Sequence, residues 1–340
     1  MILPALLFLS ATFTDPVTGR TLTEVSTEGK SSNLYFHNSN FTADGKYLIY
    51  ANDRTGTSQI YRYNLETGES RALTEAAGVA AASAMPDRFQ ARRVLYPKGR
   101  ELWAVDVETG QSTRIGEAPE RARGLGQPSV SHDGKAAAVS FQSGEKSWEI
   151  GLIDLATGSY RKVLEQGFRI GHVQHSPTAP LLFYVWETSG YAPQRTWLVN
   201  ADGSGNRPFY AAIEPSKWLT PLKEWITHEA WVPGTGDMTM ILDKYGILLV
   251  TPDGPAKVVA RGHYWHAQAT RDAKQLIADD FEGRVWLIEA ATGEAKLIAT
   301  GLRRAGEPHI HPSIDPDGKW VAVNAGRKGR PSVAVIQLRP

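Results

Sequence analysis

The sequence predicts an all-β chain, a seven-bladed β-propeller whose ring is closed by an N-terminal strand completing the last blade. Three observations predict it: a turn-and-strand tail recurs seven times, a hairpin signal recurs seven times, and the two chain ends hold complementary fragments of one unit. Self-similarity at such a period marks an array of like supersecondary units that bury their faces against one another.

The tails read TDPVTGRTLTEVS, YNLETGESRALTE, VDVETGQSTRIGE, IDLATGSYRKVLE, VNADGSGNRPFYA, VTPDGPAKVVARG and IEAATGEAKLIAT. Their turn glycines, Gly19, Gly68, Gly110, Gly158, Gly203, Gly254 and Gly293, are 39 to 51 residues apart, which suits four strands per unit. The hairpins read FTADGKYLIY, AMPDRFQARRVLY, VSHDGKAAAVSF, HSPTAPLLFYV, VPGTGDMTMIL, ATRDAKQLIADD and IDPDGKWVAVN. Each joins two alternating strands through Pro, Asp or Gly, whose φ preferences suit a tight reversal. The first copy has only a tail and the last, ending SVAVIQLRP, lacks one. A strand around residues 20–26 therefore completes blade seven and removes a sheet edge. The alanine-rich EAAGVAAASAM is read as the inner strand of blade two. Residues 1–11, MILPALLFLSA, form a signal-like or buried apolar segment without a basic n-region, and residues 12–340 form the single propeller domain.

The 37 Lys and Arg nearly balance the 36 Asp and Glu, so no polybasic footprint points to nucleic acid or a membrane surface as a partner. The absence of cysteine excludes disulfides, thiolate metal sites and a cysteine nucleophile, and leaves an exported and a cytoplasmic location equally open.

Equal register in each blade means an equivalent place around the axis. Five residues before the first turn stand Asn38, Ala81, Gln127, His172, His228, His266 and His311. Four consecutive blades thus carry histidine there, from only nine in the chain. His309 shares strand parity with His311 and points the same way. One such histidine is most simply a polar channel lining; five converging on one mouth point to a metal site. Without thiolates, and with imidazole donors, Mn²⁺ or a similar divalent ion is the first choice. His37, His175 and His263 fall out of register or parity and read as packed or capping residues, and His132, in the turn SHDGK, reads as solvent-facing. Loops between the second and third strands open on the histidine mouth and carry Arg54, Lys146, Arg195, Arg284, Arg327 and Arg330, a cationic rim suited to an acidic oligosaccharide.

Several segments together resemble landmarks of the oligogalacturonate lyases: NLYFHNSNFT with DGKYLIYANDRTG, then GHVQHSPT, RTWLVNADGS, THEAWVP and HIHPSIDPDGK, in that order along essentially the whole chain. The resemblance implies a seven-bladed, Mn²⁺-dependent lyase that cleaves oligogalacturonides or related uronate oligomers by β-elimination. It assigns His228, His309 and His311 as metal ligands. Gly306 stands where the family has a glutamine ligand, so Glu307, His266 or water would complete the set. His172 is the candidate base, a role that needs a pKa near the working pH, and Arg195 the candidate partner of a substrate carboxylate. The alternative is a non-catalytic propeller binding an anionic glycan or a protein partner.

Overall fold

A computed structural model describes residues 10–188, 192, 194–210, 225–302, 309–327 and 329–339. The apolar run at residues 1–9, and with it all but the end of the signal-like segment, lies outside the described residues. So do Gly306 and Glu307.

The strands form seven antiparallel sheets arranged as seven blades. Six are four-stranded; in blade one, for example, Ser31–Asn33, Tyr47–Asn52, Gln59–Asn64 and Ser70–Ala72 follow one another outward. In the seventh, Ser313–Ile314, Trp320–Arg327 and Arg330–Gln337 are completed by Thr21–Glu24, which pairs Leu22 with Ile336 and Glu24 with Ala334. The ring closes as the sequence predicts. It is extended by a fifth strand, Ala11–Thr14, which pairs with Thr21–Glu24.

Seven hydrophobic clusters hold the ring, one at each junction of neighbouring blades. Period-two alternation explains them, because each sheet offers one face to the preceding blade and one to the next, so both faces are apolar. At the closing junction Val25, Ala322 and Val333 of the last blade pack on Phe41, Leu48 and Tyr61 of the first.

The tail turns work as their composition requires. At Gly110, φ is +76° and its N–H donates to the Asp106 carbonyl at 2.8 Å, while the Asp106 carboxylate accepts from Thr109 N–H at 2.8 Å. The fifth-blade tail differs: Asp253, not Gly254, takes the left-handed conformation, with φ +56°.

The alanine-rich stretch corrects the expected inner strand of blade two. Ala81–Ser83 is a 3-10 turn, and the inner strand is only Met85–Pro86. Small alanines and a proline leave little side chain to anchor a longer pleated strand there.

Polar inner-strand residues tie the blades together near the axis. The Gln174 amide donates to the Glu229 carbonyl at 2.9 Å, and its oxygen accepts from Trp231 N–H at 3.3 Å. Asn324 donates to the His309 carbonyl at 2.8 Å and Asn33 to the His311 carbonyl at 3.1 Å, which fixes the backbone that carries both imidazoles.

Candidate functional site

The inner strands of blades four to six, Ile170–His175, Ile226–Trp231 and Tyr264–Ala269, each slip register beside their histidine. His172, His228 and His311 have φ of +50°, +53° and +44°. Left-handed backbone at a non-glycine residue costs on the order of 1–3 kcal/mol and persists only where the surroundings impose it. A bulge with such a residue re-aims one side chain out of the pleat; His172 and His228 combine the two, His266 has the register slip alone and His311 the left-handed backbone alone. The register predicted in the sequence is realised through these bulges rather than through regular alternation.

His266, His309 and His311 form a cluster whose ligand nitrogens all lie within 4.8 Å of one another. His228 adjoins it, with its ring centroid 4.2 Å from that of His266. Burial lowers the pKa of His228 and His311 well below the usual histidine value, and neighbouring imidazoles lower both further. Both are therefore neutral, the form that ligates a metal. Nδ1 of His228 is buried without a hydrogen-bond partner. Nδ1 of His266 meets both carboxylate oxygens of Asp279, at 2.9 and 3.0 Å, and with Nδ1–H donating there the lone pair is on Nε2. Burial pushes the Asp279 carboxyl well above its usual range, and the backbone N–H of His266 pulls it back.

These residues fit a divalent ion. Bonds of roughly 2.1 Å place the nitrogens of a tetrahedral set about 3.4 Å apart, so the rings need to approach by up to about 1.4 Å. His309 is the exposed member and His266 the fully buried one, so the cluster opens toward the mouth.

A second group lies alongside. His172 Nδ1 is 2.9 Å from Glu229, and its Nε2 is 3.3 Å from the Tyr35 hydroxyl and 3.5 Å from Glu187. Glu229 is fully buried. Burial alone would raise its pKa, but the Arg195 guanidinium at 3.0 Å and the His172 hydrogen bond hold it well below the usual carboxylate range. Burial first, and then the charges of Glu229 and Glu187, raise the Tyr35 phenol far above its usual value, so it stays protonated. Tyr35 links the two groups, its ring 5.2 Å from His172 and 5.0 Å from His311.

Tyr35 and Phe36 belong to a crossing made by blade one. Its inner strand stops at Asn33, and pairing resumes at the Phe41–Leu48 bridge. The intervening residues enter the channel, where Phe36, fully buried, lies 4.9 Å from His266 and 5.9 Å from both His228 and His311. His37 is carried with them, 5.7 Å from His172, and is packed as expected.

Other sequence-based placements are corrected. Arg195 is buried against Glu229 and is not a rim residue. Arg54 lies on the Tyr61 ring and donates to Ser26 and the Ser70 carbonyl, Arg284 pairs with Asp280 and Glu282, and Arg330 pairs with Glu24. Carboxylates thus neutralise Arg284 and Arg330, while Arg54 is held by neutral groups; Lys146 is exposed, and nothing is described of the Arg327 side chain. His132 is half-buried, stacked on His175 at 5.7 Å, and not fully solvent-facing. Tyr35, Phe36, Glu187 and Glu229 escaped the sequence reading. Tyr35 and Phe36 entered it only inside the landmark NLYFHNSNFT, and Glu229 only inside THEAWVP.

Burial makes the histidines sensitive to acid. Burial lowers His175 to about 4; burial and then His172 lower His37 to about 3. The unfolded chain protonates both near pH 6.5. The unfolded state therefore binds more protons below that pH, and stability falls as pH drops from about 6.5 toward 4, by up to about 1.4 kcal/mol per pH unit for each histidine. His228 and His311 act in the same sense, and the raised Asp279 opposes them by one proton. The melting temperature is expected to fall between about pH 6.5 and 5, less steeply in His175→Gln; a flat profile would contradict the burial argument.

No protein-family model matches the chain, and no curated protein sequence matches it. Solved structures do. Oligogalacturonate lyase from Vibrio parahaemolyticus is 21% identical, with a TM-score of 0.85 over 97% of each chain. An oligogalacturonate lyase in complex with manganese is 20% identical, with a TM-score of 0.84 over 97% of this chain and 96% of that one. TolB from Acinetobacter baumannii, 13% identical, reaches only 0.50 over 87% of this chain and 82% of that one. At these identities the likeness is one of fold.

Proposed function

We propose that the chain is a metal-dependent lyase that cleaves an acidic uronate oligomer, of the oligogalacturonide kind, by β-elimination. The observation that carries this reading is the His266, His309 and His311 cluster beside a His172–Glu229 dyad, with Tyr35 between them. The manganese complex of a protein with the same fold adds support.

His266, His309 and His311 would hold the ion, with His228 as a further ligand. When bound, a divalent cation such as Mn²⁺ supplies positive charge that acidifies the proton beside a uronate carboxylate. His172 Nε2 takes that proton from carbon 5. The electron pair becomes the bond between carbons 4 and 5, and the bond from carbon 4 to the glycosidic oxygen breaks. Glu229, accepting from Nδ1–H, fixes the tautomer that leaves Nε2 basic and then faces the imidazolium. The Tyr35 hydroxyl, kept protonated and 3.3 Å from Nε2, supplies the proton for the leaving oxygen. Arg195 is a positioning residue for Glu229 in this scheme, rather than the direct partner of a substrate carboxylate.

The test is ultraviolet absorbance of the unsaturated uronate formed from oligogalacturonate. Product is expected with Mn²⁺ and none after chelation; glycan binding without a new chromophore would favour the non-catalytic alternative. His311→Ala is expected to weaken Mn²⁺ binding at least about tenfold by calorimetry, and unchanged binding would remove the cluster as the metal site.

A further inference from the structure

We propose that the mouth of the channel opposite the His266, His309 and His311 cluster is a second ligand site, built for a small carboxylate with an apolar ring as its body. The inner strands run from the histidine end to this mouth, where their last residues and the turns after them enclose a cavity of about 390 Å³. The crossing that carries Tyr35 and Phe36 separates it from the histidine cluster, and Asn38, at the end of that crossing, lines the cavity.

Charge and hydrogen bonding identify the occupant. Two arginines, Arg88 and Arg271, line the cavity, and none of its lining residues is Asp or Glu. Among the described residues no carboxylate lies within ion-pair distance of Arg88: its Nη2 donates to the Val130 and Ser176 carbonyls, and neighbouring Asp87 is taken by Arg93 at 2.6 Å. Nε of Arg88 is buried without a hydrogen-bond partner, and so is Nδ2 of Asn38. Both atoms are donors, and a guanidinium whose hydrogen bonds go to neutral carbonyls favours an anionic acceptor in the cavity. Burial lowers Arg88 only to about 10, so it is cationic at neutral pH.

Two of the polar groups deeper in the cavity are already used, while both ring nitrogens of His37, also in its wall, are buried without a hydrogen-bond partner. Gln174 staples blades four and five, and the Gln268 oxygen accepts from Ile314 N–H at 2.7 Å. The remaining wall includes Met85, Trp231 and Phe89, the last 49% exposed and under the Arg88 guanidinium at 5.4 Å. An apolar wall with a few convergent donors is the composition of a small-molecule site, and a planar carboxylate matches the guanidinium while its ring covers the aromatic and apolar surface.

Calorimetry of the full chain with benzoate, and with benzamide as its neutral isostere, tests this. Benzoate is expected to bind at least about tenfold more tightly than benzamide, because only the anion pairs with the guanidinium. Arg88→Gln is expected to weaken benzoate at least about tenfold. Arg271→Ala, at an exposed position that leaves the fold intact, is expected to weaken it measurably even if Arg88→Gln fails to fold. His228→Ala, on the opposite mouth, is expected to leave benzoate binding unchanged. Absence of benzoate binding, equal affinity for benzamide, or loss of binding in His228→Ala with retention in the arginine variants would overturn the proposal.

Discussion

His172→Gln is expected to lower the turnover of oligogalacturonate by roughly 10²–10⁴-fold, the range for loss of a general base, while KM changes little. The expectation follows from geometry: Nε2 faces Tyr35 at 3.3 Å while Nδ1 is held by Glu229 at 2.9 Å, an arrangement that fixes one tautomer. Glutamine preserves an amide near the Glu229 carboxylate but has no basic nitrogen. Retained turnover in a variant that still binds Mn²⁺ would remove His172 from the chemistry. Tyr35→Phe tests the other proton: it should slow elimination with a glycosidic leaving group more than with a good aryl leaving group, which needs no protonation. A purely structural tyrosine would affect both alike.

Glu229→Ala is expected to destabilise the fold by about 3–5 kcal/mol, the range for removing one partner of a buried ion pair. Glu229 is fully buried and Arg195 only 8% exposed, so the alanine leaves a largely buried guanidinium with the more distant Glu187, at 3.8 Å, as its remaining carboxylate. Urea unfolding measures this directly. Adding Arg195→Met should recover part of the stability, because it removes the buried charge that has lost its closest partner. Activity should not return with it, since His172 would still lack the acceptor at Nδ1. Recovery of both would make Glu229 a structural residue only; recovery of neither would mean that the pair is not coupled.

The separation of these two readouts bears on how the site is built. Glu229 follows His228 on the same bulged strand, so one local distortion delivers a ligand-type imidazole to the cluster and a carboxylate to the dyad. The two groups are therefore parts of one construction, and Phe36 packs against three of the ring histidines from the first blade.

The repeat alone determined the architecture. Turn glycines and Pro/Asp/Gly reversals act locally through φ, and alternating apolar residues act through period two, so blade number, order and ring closure were legible before any contact was known. Histidine register carried the ring positions of His172, His228, His266 and His311 for the same reason: equivalent blades place equivalent residues equivalently. Tertiary structure decided the rest. The crossing that puts Tyr35 and Phe36 on the axis is an exception to the repeat, the burial of Arg195 against Glu229 is a pairing across 34 residues of chain, and the rim arginines were claimed by partners that no local pattern announces. Local conformational preference repeats with the sequence, whereas the partner of a buried charge is set by which blades happen to meet.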